Sequence, residues 1–324
     1  MPVGYRDGVR VAAVQVATTL CVEENRRLAT RHVGAAAQEG ASLVVLPEAT
    51  MCGFGDASFD LSSVAETLDG PFVSTLSEAA AQHGVTVVAG MFERAPVAGK
   101  VYNTAVVIGP RGLLGAYRKL HLFDAYGARE SARVVAGDAS GPSSGVVTVP
   151  LGGAGEGAGE GAGEGAGEGA GGGGLVLGVM TCYDLRFPEM ARALVERGAT
   201  VIALPAHWFN GPGKAAVWAT LVRARAIEST AYVVAAGKPE DEGVGHSMVV
   251  DPAGEVLAEL GGTCEGGSQG TDMALAEVSA ARVAEVRAAL PVLAHRRFGV
   301  VARADPPAGL RPPPAGPTIL SAPG

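Results

Sequence analysis

Short unbroken apolar runs alternate along the chain with longer stretches whose apolar residues recur every three to four positions. The first kind reads as buried strand and the second as amphipathic helix. Val9–Val16 is a predicted strand, Glu23–Gln38 a helix, and Leu43–Leu46 a strand that stops at Pro47-Glu48. Gly70-Pro71 opens a helix to His83, and Val85–Met91 follows as a strand. Asn103–Ile108 and Leu113–Arg118 form a hairpin around the turn residues Gly109-Pro110-Arg111-Gly112. Further on, Leu175–Met180 is a strand, a helix starting near Phe187-Pro188-Glu189 runs to Glu196, and Thr200–Leu204 is a strand. A helix over Gly213–Glu228 leads into strand Tyr232–Ala236. A second hairpin pairs Ser247–Val250 with Val256–Leu260, turning at Asp251-Pro252-Ala253-Gly254. Each half supplies strand–helix units and a hairpin, which predicts an α/β protein of two mixed sheets packed together with helices outside.

Two segments do not belong to this pattern. Residues 152–174 repeat Gly-Ala-Gly-Glu and offer almost nothing to bury, so they read as a flexible loop. Residues 304–324 carry Pro306-Pro307 and Pro312-Pro313-Pro314 and read as a disordered tail. The expected organisation is one domain over residues 1–303, interrupted by that loop.

Composition narrows the class. The 324 residues are 48% hydrophobic with a net charge of −8, half of it from Glu156, Glu160, Glu164 and Glu168 of the repeat. No basic surface for nucleic acid is visible. No run reaches the roughly 18 apolar residues of a membrane span, and the apolar stretch after Arg6 is broken by Gln15, Thr18 and Thr19, unlike a signal peptide. The expected location is the cytoplasm. Cys21, Cys52, Cys182 and Cys264 are scattered, with neither a C-x-x-C pair for zinc nor a disulfide framework.

Three polar residues occupy corresponding places. Glu48 ends "SLVVLPE", Lys119 ends "GLLGAYRK" and Cys182 ends "LVLGVMTC". Groups just beyond buried strands converge on crevices in α/β folds. A base, a cation and a thiol are what amide hydrolysis through a covalent intermediate requires. Taken singly, each has a plainer reading: Glu48 as a solvated strand end, Lys119 as surface charge beside Arg118, Cys182 as an inert buried thiol.

The joint pattern resembles the nitrilase, or carbon–nitrogen hydrolase, superfamily. The matching stretches are "VVLPEATMCGFG", "YRKLHLFDAYGARES" and "GVMTCYDLRFPEMARAL", with weaker similarity through "LPAHWFNGPGKAAVWATLVRARAIEST" and "GHSMVVDPAGEVLAEL". The resemblance implies a four-layer α-β-β-α sandwich and a homodimer or larger homo-oligomer. It also implies a catalytic set of Glu48, Lys119 and Cys182, with Glu130 of "GARES" as the supporting second glutamate. The Gly-rich insertion departs from the family's usual short connection.

That resemblance implies a cysteine-dependent amidohydrolase. Glu48 takes the thiol proton, Cys182 attacks the carbonyl, and Lys119 with the backbone N–H of Tyr183 receives the oxyanion. No metal or cofactor is called for. "TCYDLRFPE" looks most like the ω-amidase and deaminated-glutathione amidase branch, which favours a small linear amide bearing a carboxylate. A carbamoyl amino acid, a nitrile, or a non-catalytic ligand-binding relative are the alternatives. His207 and Trp208 are expected at the substrate, with His121 beside them. Trp208, Phe209 and Trp218 line the acyl pocket or belong to the core. Arg186 and Glu189 are expected to form a structural ion pair or to shape the helix entry, with substrate contact as the alternative. Arg223 and Arg225 are expected at a subunit interface, and Cys21, Cys52 and Cys264 as bystanders.

Overall fold

The computed structural model describes residues 8–139, 146–151, 174–263 and 272–301. Among these, thirteen strands form two sheets. The first half runs β1 (Val9–Val14), α1 (Val22–Gln38), β2 (Leu43–Val45), α2 (Pro71–His83), β3 (Thr86–Arg94), β4 (Val101–Gly109), β5 (Gly112–Arg118) and β6 (Val134–Val135). The second half runs β7 (Thr148–Leu151), β8 (Leu175–Val179), α3 (Pro188–Glu196), β9 (Val201–Pro205), α4 (Lys214–Ser229), β10 (Tyr232–Ala236), β11 (Met248–Val250), β12 (Val256–Glu259), β13 (Met273–Val278) and α5 (Ala280–Ala289).

One sheet has the order β13-β1-β2-β3-β4-β5, with β6 beside β4; the other has the order β12-β11-β10-β9-β8-β7. In each, three central parallel strands (β1, β2 and β3; β8, β9 and β10) continue into an antiparallel pair on one side. Each central trio is bounded on the other side by one antiparallel strand, β13 or β7. The two halves therefore repeat one topology.

Buried parallel strands read as continuous apolar runs because both faces are covered. Val11, Ala13, Leu43 and Val45 pack with β8, β9 and β10 between the sheets. The alternate residues Ala12, Val14, Val44 and Leu46 pack with Val33 of α1 and Leu76 of α2. On the other flank, Leu194 of α3 and Trp218, Val222 and Ala226 of α4 cover the second sheet. The layers are α-β-β-α, as the resemblance implies.

Most predicted elements lie within a few residues of those observed. The strands β6, β7 and β13 and the helix α5 were not anticipated. The Gly-rich stretch expected as a loop (all but Gly174), the expected tail from residue 304, and Cys264 lie outside the described residues. The flanks of that stretch are Leu151 and Leu175, which pair directly across β7 and β8.

Candidate active site

Glu48 follows β2 on a sharp bend. Its neighbour Ala49 has φ 56°, a left-handed conformation that side chains rarely adopt. The bend is packed against β3 at Gly90, where a Cβ would lie 2.5 Å from Ala49 N and 2.8 Å from Glu48 Cα. Lys119 continues β5, its N–H donating to the Asn103 carbonyl of β4 at 2.9 Å.

Cys182 itself has φ 48° and opens a short 3₁₀ turn, Cys182–Arg186, ahead of α3. The helix expected directly after the cysteine is thus two pieces, with Pro188 starting the second. Asp184, wholly buried, braces this turn. Its Oδ2 accepts from Thr181 N at 2.8 Å and from the Tyr117 hydroxyl at 2.6 Å. Its Oδ1 accepts from His121 Nδ1 at 2.7 Å. One carboxylate therefore ties the cysteine turn to the lysine segment of the opposite sheet.

The predicted residues meet. Lys119 Nζ lies 3.0 Å from Glu48 Oε1 and 2.9 Å from Glu130 Oε2. Glu48 Oε2 accepts from the His207 backbone N–H at 2.8 Å, and the Cys182 thiol hydrogen-bonds Glu48. Cys182 Sγ is also 3.5 Å from the His207 carbonyl oxygen. Glu130 Oε2 further accepts from Phe123 N at 2.6 Å. Glu48 and Lys119 are 1% and 2% exposed, so water screens this cluster little.

Burial alone would raise the Glu48 carboxyl, but the Lys119 ammonium and the hydrogen bond from Cys182 outweigh it and hold it below its ordinary range. Burial opposes the Lys119 charge, yet Glu130 and Glu48 together hold that ammonium well above its usual range. Burial and Glu48 push the Cys182 thiol well up, against Lys119. The resting state is thiol, carboxylate and ammonium. Burial and then Lys238 bring His207 down to about 4, so its imidazole is neutral and Nε2–H donates to the Glu242 carbonyl at 2.7 Å.

The cluster opens into a cavity of about 370 Å³. Tyr183, His207 and Trp208 line it, with Phe209. Trp218 does not; it is core, its indole N–H donating to the His246 carbonyl at 2.8 Å. Arg186 ends the 3₁₀ turn just ahead of α3. It makes no ion pair with Glu189 but stands in the cavity wall, 4.8 Å over the Trp208 ring. Arg225 is a correction. It is buried within the chain, its Nε donating to the Leu185 carbonyl at 2.9 Å and its guanidinium pairing with Glu228, so it supports the cysteine turn. Arg223, by contrast, is exposed and donates to the Gly254 carbonyl.

Sequence reasoning missed Asn103, Asp184, Tyr117 and the buried Lys238. The available signal was a polar residue inside or beside an apolar run, as in "VYNTAVVI". Among the described residues no group of three His, Cys, Asp or Glu side chains is arranged to hold a metal ion, and no helix is long and apolar enough to cross a membrane.

Comparison with known proteins identifies the family. The carbon–nitrogen hydrolase family model matches residues 10–288. The chain is 35% identical to the deaminated glutathione amidase of Escherichia coli O157:H7, across 89% of this chain and 97% of that protein. It is 31% identical to the omega-amidase NIT2 of Xenopus tropicalis, across 89% and 95%. Among solved structures, Saccharomyces cerevisiae Nit3, of the nitrilase superfamily, superposes with a TM-score of 0.71 at 26% identity, across 90% and 97%. The chain belongs to the carbon–nitrogen hydrolase family, whose members act on non-peptide carbon–nitrogen bonds.

Proposed function

We propose that this amidohydrolase cleaves a small linear amide that carries a carboxylate, with Cys182 as nucleophile, Glu48 as general base and Lys119 as oxyanion donor. Glu48 takes the thiol proton as Sγ bonds to the carbonyl carbon. The oxyanion is met by Lys119 Nζ and by the N–H of Tyr183, in the first residues of the 3₁₀ turn where backbone donors lack intrahelical acceptors. The proton returns from Glu48 to the amide nitrogen, the carbon–nitrogen bond breaks, and ammonia leaves a thioester on Cys182. Water, deprotonated by Glu48, then attacks the thioester; the acid departs and the thiol is restored. Glu130 holds Lys119 in place through two hydrogen bonds, 3.1 and 2.9 Å long.

The observation that carries the substrate class is a pair of cations in the cavity wall. Arg186 and Lys214 both line it, and neither has a carboxylate partner among the described residues. Burial and then the nearby Arg186 lower the affinity of Lys214 for its proton. Two adjacent cations of this kind favour an anionic group, and a guanidinium suits a carboxylate well. A homodimer or larger assembly is further proposed through the outward face of α4, where Val217 and Ile227 are exposed.

The test is ammonia release from a panel of ω-amides of dicarboxylic acids, matched neutral amides, N-carbamoyl amino acids and nitriles. The ω-amides should give the highest kcat/KM. Arg186→Met should raise KM for them at least about tenfold, the worth of one charge-assisted bond, and leave the neutral amide unchanged. Equal losses on both would reject the assignment.

A further inference from the structure

Asn103 lies within β4, 1% exposed, between the apolar Val101 and Ala105 of the same strand face. Its amide nitrogen makes two bonds, 2.7 Å to Glu48 Oε1 and 3.0 Å to Glu130 Oε1. The same two oxygens accept from Lys119 Nζ at 3.0 and 3.1 Å. Four side chains thus close a ring in which two carboxylates alternate with an ammonium and an amide. The amide has one workable orientation, because turning it over would set Oδ1 against two carboxylate oxygens. Oδ1 is left buried without a hydrogen-bond partner. A residue that leaves its acceptor unused to commit both donor hydrogens to carboxylates is arranged for the carboxylates.

The electrostatic need is plain. Two buried carboxylates share one ammonium, and like charges this close favour protonation of one of them. The other titratable groups facing Glu48 do not remove the problem: Cys182 after β8 is a neutral thiol, His207 after β9 a neutral imidazole, and Lys238 after β10 is committed to Glu242 and Thr18. A neutral double donor bridging both carboxylates favours their charged forms without adding a counter-charge that would compete with Lys119.

We propose that Asn103 is a positioning residue of the reaction, fixing Glu48 beside Glu130 and keeping Glu48 a carboxylate so that it is available as a base; this rests on reading Glu48 as that base. A competing structural role would only keep β4 packed.

The experiment follows alkylation of Cys182 by iodoacetamide in the full chain across pH 4–9, with the modified peptide identified by mass, and alongside it kcat/KM against pH on the best amide. In Asn103→Ala the acid limb of both profiles should move up by about one pH unit, the scale of losing a hydrogen bond to a buried carboxylate. In Asn103→Ser, uncharged and smaller and so the safer variant for folding, one remaining hydroxyl donor should leave a smaller upward shift. Unmoved limbs in either folded variant, or rates lowered by one factor at every pH, would overturn the proposal. The alkylation arm needs no turnover. A shifted limb in an enzyme that hydrolyses no amide would overturn the amidase reading and leave Asn103's role standing.

Discussion

Cys182 and Ala49 both hold left-handed backbone conformations that cost roughly 1–3 kcal/mol each in non-glycine residues. Surrounding contacts must impose them, and at Glu48 the contact is the bare Cα of Gly90. Gly90→Ala should therefore push the Glu48 bend away from Lys119, lowering kcat/KM at least tenfold and the melting temperature by several degrees. Unchanged kinetics would mean the bend is held elsewhere. Glu48, Lys119 and Cys182 stood out in the sequence because each ends a predicted strand and the three stretches together match one family's motifs; singly, each had a plainer reading. Asn103 was not, because a single polar residue inside a strand looks the same whether it faces solvent or a carboxylate pair. Arg225 was misread for a related reason. Which side of a short turn or helix a cation occupies depends on packing against the other sheet.

At the scale of elements, the loop after β9 matters because His207 offers backbone groups to both Glu48 and Cys182 while its ring is anchored to Glu242. The folded imidazole titrates near 4, against about 6.5 in the unfolded chain. The unfolded state therefore binds the proton first as pH falls. His207 contributes its stabilisation fully above pH 6.5 and loses it on descending toward pH 4. Between pH 7 and pH 5 that amounts to about 2 kcal/mol. Urea unfolding of the parent and of His207→Gln at both pH values checks this, since the variant should lose that share of the pH dependence. An equal slope would place the acid sensitivity elsewhere. The helix α2 was readable because caps and periodicity agree, with Gly70-Pro71 before it and Gly84 after it. The strand β13 was not, because it is half exposed and pairs with β1 from the far end of the chain, a partnership local pattern does not encode.

On the scale of the whole molecule, two halves of like topology face each other, and the three reactive residues come from both. Glu48 and Lys119 belong to the first sheet and Cys182 to the second, so the site exists only when the sandwich is closed. The Gly-rich insertion joins β7 to β8 at Leu151 and Leu175, the end of the pair remote from Cys182. At about 3.3 Å per residue, the seven steps from Leu175 to Cys182 span up to roughly 23 Å. Replacing residues 152–173 with a short hairpin turn should leave kcat/KM within about twofold, because loop closure changes only slowly with length. A large loss would reveal a role for the repeat in catalysis. The amidohydrolase chemistry proposed above, by contrast, requires one sulfur atom, that of Cys182. The most direct measurement is ammonia release from the best amide by Cys182→Ala, at enzyme concentrations high enough to detect one part in a thousand of parental activity. With the variant folded, no release above the uncatalysed background is expected; release within tenfold of the parent would contradict a thioester route through Cys182.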